Sequence, residues 1–314
     1  MTATTSGRAG AKPGWEEVSR QIIELASEVG VEVSLHARDI DGPDGAGIGA
    51  DVPVVTASVF KVPVAVALAR LGHAGLLDLA EEITVTPGAG PAFPFGLATF
   101  RHPARLSLHD LGLLMMGVSD NVATDLVMAK VGGAAIDALL AELGLAVTAV
   151  PQSCQQLLDT ISDDLELDYD DNERILATVP MSRIRALSAL QPEHTCRTTA
   201  EEMTRLLAMI WRDEAAPPEA CADVRRWMGL QVWPHRLRSG FEGADVAISG
   251  KTGTLPTVRN EVGVVEYSDG RRYAVAVFTI AEDVRGRVPK RDRFIGEAAT
   301  LAVEFLRGEV VGTS

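Results

Sequence analysis

Three short stretches of this 314-residue chain hold side chains that can do acyl chemistry. In Ala57-Ser58-Val59-Phe60-Lys61 a serine and a lysine stand three apart, where a loop enters the apolar run 62–68. On a helix that spacing puts both on one face, one turn apart. A serine hydroxyl is a poor nucleophile near neutral pH. A lysine serves as its base only when burial or another cation lowers its pKa. Taken alone, the tetrad better describes a serine cap followed by a surface lysine. Two more stretches change its meaning: Ser119-Asp120-Asn121, 61 residues after Ser58, and Lys251-Thr252-Gly253, 193 residues after it. The chain has five lysines against 24 arginines, and two of the five, Lys61 and Lys251, fall in these motifs.

In this order and spacing the three motifs resemble the class A β-lactamases and the related penicillin-recognising serine hydrolases. The resemblance runs from about residue 31 to the last helix. It implies that Ser58 attacks a carbonyl with Lys61 as base. Ser119 passes a proton to the leaving nitrogen or oxygen, and Asn121 orients Lys61 and holds a substrate amide. Lys251 brings a second cation close, and two nearby ammonium groups disfavour each other's charge. Backbone N–H groups of Ser58 and of Thr254, the residue after the Lys-Thr-Gly triplet, are expected to form the oxyanion hole. Lys251, Thr252, Gly253 and Thr254 are expected to bind a substrate carboxylate. Arg259 is either a second anchor or a hairpin-surface arginine. Phe60 and Trp233 either line the cleft or sit in the core.

One feature of that family is missing. A Glu-x-x-Leu-Asn segment, whose glutamate activates the deacylating water, is expected some 13 residues before an Asp-Thr-Thr-like stretch. Here that stretch is Cys196-Arg197-Thr198-Thr199, and the expected place falls on Arg183-Ile184-Arg185-Ala186-Leu187, which holds no glutamate. Glu166, Glu173 and Glu193 stand on or near the acidic insertion and are the open alternatives.

Composition fits a soluble globular chain, with 46% hydrophobic and 23% charged residues. A net charge of −14 argues against nucleic acid or an anionic membrane as partner. Three cysteines, Cys154, Cys196 and Cys221, show neither a disulfide framework nor a metal motif, and no cofactor is expected. The acidic run 163–173 lacks the glycine and ligand spacing of a calcium loop, and reads as a solvated insertion. Residues 1–14 carry no apolar core, which puts the chain in the cytoplasm as written, or outside the membrane if a leader has been removed.

The elements that must position these residues follow from periodicity. Residues 15–27 read as a helix stopped by Gly30, and residues 31–39 alternate as a half-buried strand. A helix runs from Ser58 to about Leu71, and residues 72–103 are broken by glycine and proline. Helices are predicted over 106–116, 121–131 and 134–143, from Thr199 with Glu202 as a capping box, and over 218–232 and 293–306. Strands are predicted over 246–248, 261–267 and 273–280. The fold class is therefore α/β of the α+β type: an antiparallel sheet built from both termini with flanking helices, plus a mostly helical lobe, as in class A β-lactamases. Residues 1–14 form a disordered tail, 15–48 with 206–314 the α/β lobe, and 49–205 the helical lobe, with the active site between lobes. The expected activity is acylation of Ser58 by a β-lactam or related amide or ester, with slow release of a β-lactam acyl group. The alternatives are a cytoplasmic esterase or acyl transferase of a biosynthetic pathway, and a catalytically weak β-lactam- or peptide-binding protein. The partner is a small, carboxylate-bearing molecule; the oligomeric state stays open.

Overall fold

The computed structural model describes residues 14–91, 94–167, 176–243, 245–284 and 288–308. Helix α1 (Trp15–Val29) buries Val18, Ile22 and Ala26, spaced four apart, and ends where Gly30 turns left-handed at φ 68°. The chain then enters strand β1 (Val31–Asp39), followed by β2 (Gly45–Ile48). Near the other terminus lie β7 (Val246–Leu255), β8 (Val258–Tyr267) and β9 (Arg272–Ala281), the last two rich in valine and aromatics. Together these make one antiparallel sheet in the order β2-β1-β9-β8-β7. Both termini build it, as expected, and β7 is an edge.

One face of the sheet is covered by α1 and by α10 (Pro289–Arg307). Leu35, Val265, Tyr273, Val275 and Val277 pack there against Ile22, Phe294 and Ile295. On the other face Val262, Val264, Ala274, Ala276 and Phe278 join the larger core of the helical part. At the centre of that core is α2 (Lys61–His73), with every residue from Lys61 to Ala69 buried. A helix apolar all round belongs inside. Around it stand α3 (Leu108–Gly117), α4 (Asn121–Val131) and α5 (Gly133–Glu142), then α8 (Ala200–Trp211) and α9 (Pro218–Gly229).

Several local expectations change. The Thr199 side chain caps α8 by accepting from Glu202 N at 3.0 Å. The reciprocal half of the capping box is replaced: the Glu202 carboxylate accepts from Val147 N, Thr148 N and Thr148 Oγ1 instead, tying down a distant turn. The 72–103 stretch holds β4 (Glu82–Val85), which pairs with β5 (Ala104–Ser107). The 151–190 stretch contains α6 (Cys154–Leu165), opened by a Ser153/Gln156 capping box, and the short α7 (Met181–Arg185). Leu157, Leu158, Ile161, Ile184, Leu187 and Ala189 form a third apolar cluster with Val55, Ala57, Leu255 and Val258. That cluster ties the acid-rich segment to the turn before Ser58. The acidic run 163–173 is described only as far as residue 167.

Candidate active site

Ser58 does not start the α-helix. It sits, half-buried, in a 3-10 turn (Ala57–Phe60) preceded by β3 (Val54–Val55), which pairs with β6 (Arg197–Thr198), and α2 begins at Lys61. Ala57 takes φ 46°, a left-handed angle unusual for a residue with a Cβ. Lys61 is 0% exposed, which removes the surface-lysine reading. Its ammonium donates to Asn121 Oδ1 at 2.8 Å, to Ser119 O at 2.8 Å and to Ser119 Oγ at 3.2 Å. Ser119 is itself left-handed, at φ 65°, so both its carbonyl and its hydroxyl face the lysine. Asp120 holds that turn. Its carboxylate caps α4 through Ala123 N at 2.8 Å and accepts from Leu97 N at 2.6 Å. Gly96, at φ 72°, must be glycine because a Cβ there would meet Asp120 Oδ2 at 2.2 Å.

Burial pushes the Lys61 ammonium below the ordinary lysine pKa of 10.5, while Cys154, Asp120 and Asp125 oppose that shift. The effect is stronger at Lys251, also 0% exposed. There burial again comes first, and the charge of Lys61 adds to it. The expected disfavour between the two lysines is thus felt at Lys251, where desolvation is the larger cause.

The Lys-Thr-Gly motif lies within β7, not after it. In register Lys251 pairs with Val262, and Thr252 with Glu261. Facing residues share a side of the sheet, so Lys251 points with Val262 toward the helical core. Gly253 is required by close approach: a Cβ there would sit 2.5 Å from Thr56 O and 3.2 Å from Ala57 Cβ. The nucleophile turn thus rests directly on the edge strand. Asn260 fastens the same turn, donating through Nδ2 to Val55 O at 2.9 Å and Thr56 O at 3.2 Å. On the open side of β7, Thr252 N donates outward to Gln231 Oε1 at 2.6 Å. Backbone N–H groups two residues apart on a strand point the same way. Thr254 N therefore also points away from β8, where an oxyanion donor beside Ser58 is wanted.

Arg259 Nη1 donates to Leu255 O and Val258 O, both at 2.9 Å, on its own hairpin. The guanidinium that reaches Thr254 Oγ1, at 2.8 Å through Nη2, is that of Arg236. Its Nη1 also holds Gly253 O and Asn260 O at 2.9 Å, and its Nε pairs with Asp292 at 2.7 Å. Sequence reasoning missed Arg236, Asn260 and Gln231, since no local motif marks partners this far apart. Phe60 is in the core, at 2% exposed. Trp233 is half-buried, on the loop between α9 and β7, its ring centroid 5.4 Å from that of Phe95.

The three loop glutamates stand differently. Glu166 is the exposed C-cap of α6, about 18 Å from that helix's first residue at 1.5 Å per residue. Glu193 is exposed on a turn, and Glu173 lies outside the described residues. Residues 183–187 fold as α7 and its end, with Ile184 and Leu187 buried and Arg183 donating to Asp164 O and Leu165 O. Among the described residues no group of histidine, cysteine and carboxylate side chains is arranged to hold a metal ion. No described helix is long and apolar enough to cross a membrane.

The model of the beta-lactamase enzyme family matches residues 17–306. The beta-lactamase regulatory protein BlaB of Streptomyces cacaoi is 31% identical over 307 residues, 93% of this chain and 98% of that protein. A beta-lactamase from Sphaerobacter thermophilus superposes with a TM-score of 0.73 at 23% identity, over 93% of this chain and 98% of that one. A point mutant of PBP-A, solved as its acyl-enzyme complex with penicillin G, gives 0.73 at 19% identity, over 95% of this chain and 99% of that one.

Proposed function

Because this chain belongs to the beta-lactamase enzyme family, we propose that it is a serine hydrolase or acyl transferase working through an acyl-enzyme on Ser58, with a β-lactam or related amide or ester as acyl donor. The observation that carries the reading is the buried Lys61, gripped by Ser119 and Asn121 one turn from the serine. Burial lowers the pKa of this lysine, which raises the share of neutral amine able to take the Ser58 proton. The oxygen then attacks the carbonyl carbon while Ser58 N and Thr254 N receive the developing oxyanion, each such donor contributing about 3 kcal/mol. The proton passes through Ser119 to the leaving nitrogen or oxygen. Lys251, Thr252 and Thr254, backed by the Arg236 charge, would receive a substrate carboxylate; Arg259 is the competing anchor. A β-lactam acyl group would leave slowly, for want of a carboxylate at residues 183–187.

A receptor reading is favoured by one observation, the relative named as a regulatory protein. The two readings part on turnover. Wild type incubated with penicillin G and with p-nitrophenyl acetate should gain the acyl mass on Ser58, and Ser58→Ala should gain none. Sustained ester turnover supports the enzyme; one stoichiometric adduct that never clears with any acceptor supports the receptor. Labelling that survives in Ser58→Ala rejects both. Arg236→Ala should weaken acylation by penicillin G at least tenfold more than acylation by the uncharged ester. An equal loss for both would return the anchor role to Arg259.

A further inference from the structure

One buried carboxylate fastens both ends of the loop that carries Arg236. Residues 231–236 run without regular structure between α9 and the 3-10 turn Leu237–Phe241, and Val232, Pro234 and His235 are exposed. Glu261, 2% exposed on β8, lies under this loop. Its Oε1 accepts from Gln231 Nε2 at 2.7 Å, and its Oε2 accepts from Leu237 N at 2.6 Å. Gln231 Oε1 in turn accepts from Thr252 N, the outward N–H two residues before the one proposed for the oxyanion. The sequence leaves room for this chain of hydrogen bonds. A Cβ at Gly250 would sit 2.7 Å from Glu261 Oε1 and 3.1 Å from Gln231 Nε2. Successive residues on a strand point to opposite faces. Asn260 therefore holds the Ser58 turn on one side of β8, while Glu261 holds the Arg236 loop on the other.

We propose that Gln231 and Glu261 are positioning residues for carboxylate recognition: they clasp the 231–237 loop to the edge of β7 and so set where the Arg236 guanidinium meets the carboxylate of an acyl donor. This rests on the acyl-enzyme reading above, with Arg236 as the anchor. The two ends of the chain, Thr252 N and Leu237 N, are fixed donors. The Gln231 amide accepts at one end and donates at the other, so the group at 261 has to accept from both of its partners. An ionised carboxylate does that; an amide or a protonated acid does not. Burial raises the Glu261 pKa, and the Leu237 N–H, the Arg236 charge, the Gln231 amide and the Lys251 charge oppose that rise. The link to the anchor is short. Leu237 N belongs to the peptide bond that follows Arg236, so Glu261 fixes the main chain from which the guanidinium reaches Thr254 Oγ1 at 2.8 Å and Gly253 O at 2.9 Å. With the clasp broken, Arg236 keeps its charge and loses its fixed origin. A fork-shaped fit to a carboxylate tolerates little misplacement, and an uncharged ester makes no use of it.

The test compares second-order acylation rates of penicillin G and p-nitrophenyl acetate on the full chain, read by intact mass. Gln231→Ala breaks the chain of hydrogen bonds and alters no charge. Its penicillin G rate should fall about tenfold or more beyond any fall for the ester. Glu261→Gln sets an amide N–H against another donor and should show the same selective fall. Removing a buried negative charge would by itself draw an anion in, so that fall runs against the charge and reports position. The exchanged pair Gln231→Glu, Glu261→Gln restores every donor, every acceptor and the net charge, and should return the ratio of the two rates to within about threefold of wild type. A purely structural role would lower Tm and both rates together, with the ratio unmoved. An unmoved ratio in Gln231→Ala beside a selective fall in Arg236→Ala overturns this proposal alone, as does an exchanged pair no better than Glu261→Gln. If a Glu261 variant does not fold, Gln231→Ala decides. Equal losses for both donors in Arg236→Ala, or no adduct on wild type with either donor, overturn the underlying reading and this proposal with it.

Discussion

Lys61 is the side chain whose protonation the proposed chemistry depends on, and its surroundings give that dependence a sign. Burial moves its pKa below 10.5, so the neutral base appears at lower pH than in a free lysine. Acylation should therefore rise with pH along a limb whose midpoint lies below that value, read from adduct formation between pH 5 and 10. Lys61→Ala should lower the rate by about two to four orders of magnitude; a change within a few-fold would put the base elsewhere. Lys251 provides a stability test. Unfolded, it titrates at the ordinary 10.5, and folded it titrates well below. Between those values the unfolded chain holds a proton that the folded chain does not, so stability rises with pH across the window and is lost as pH falls through the folded value. Lys251→Met removes that cost. Its Tm should exceed wild type at pH 7, and the gap should narrow as pH approaches 10.5. A gap that widens with pH would mean that the ammonium is stabilised in the fold.

At the scale of elements, the site depends on how tightly the Ser58 turn sits on β7. Gly253→Ala puts a methyl group where Thr56 O already is, and the turn must move. The expected cost is about 1–3 kcal/mol of stability, with a loss of acylation beyond what that cost explains, since the shift displaces Ser58 relative to Lys61. Wild-type acylation in a destabilised Gly253→Ala would show that the strand gave way and not the turn. The α6 start is a milder probe: Ser153→Ala removes the hydroxyl accepting from Gln156 N and should cost about 1 kcal/mol. These elements also show which parts of the fold are legible in a sequence. Helix α1 and strand β1 follow from period alone. Strand β7 was read as three residues because Ser249, Gly250 and Gly253 lack strand propensity; tertiary pairing with β8 carries it to Leu255. Helix α6 was hidden because acidic residues on its outer side masked Leu157, Leu158, Ile161 and Leu165 at helical spacing. Ser58, Lys61, Ser119 and Asn121 were legible through motif order. Arg236 was not, because its hydrogen-bond partners stand 17 to 56 residues away and no local pattern encodes them.

For the whole molecule, the charge balance and the proposed site pull in opposite directions. The chain carries −14 at neutral pH, while the groups proposed to receive a substrate carboxylate are basic and buried: Lys251 at 0% and Arg236 at 5% exposed. A carboxylate-bearing donor is therefore repelled at long range and attracted only once inside. Salt separates the two effects by distance. The Debye length falls from about 30 Å at 0.01 M to about 8 Å at 0.15 M, and buried pairs are screened much less than exposed ones. Raising salt across that range should thus increase the second-order acylation rate of penicillin G by a few-fold, as the outer repulsion fades and the inner attraction remains. The uncharged p-nitrophenyl ester should change little and serves as the control. The anionic donor's gain should survive in Arg236→Ala, because the repelling charge is spread over the whole surface. A rate for the anionic donor that falls with salt would mean that the cleft's positive field reaches into solvent and outweighs the −14 of the chain.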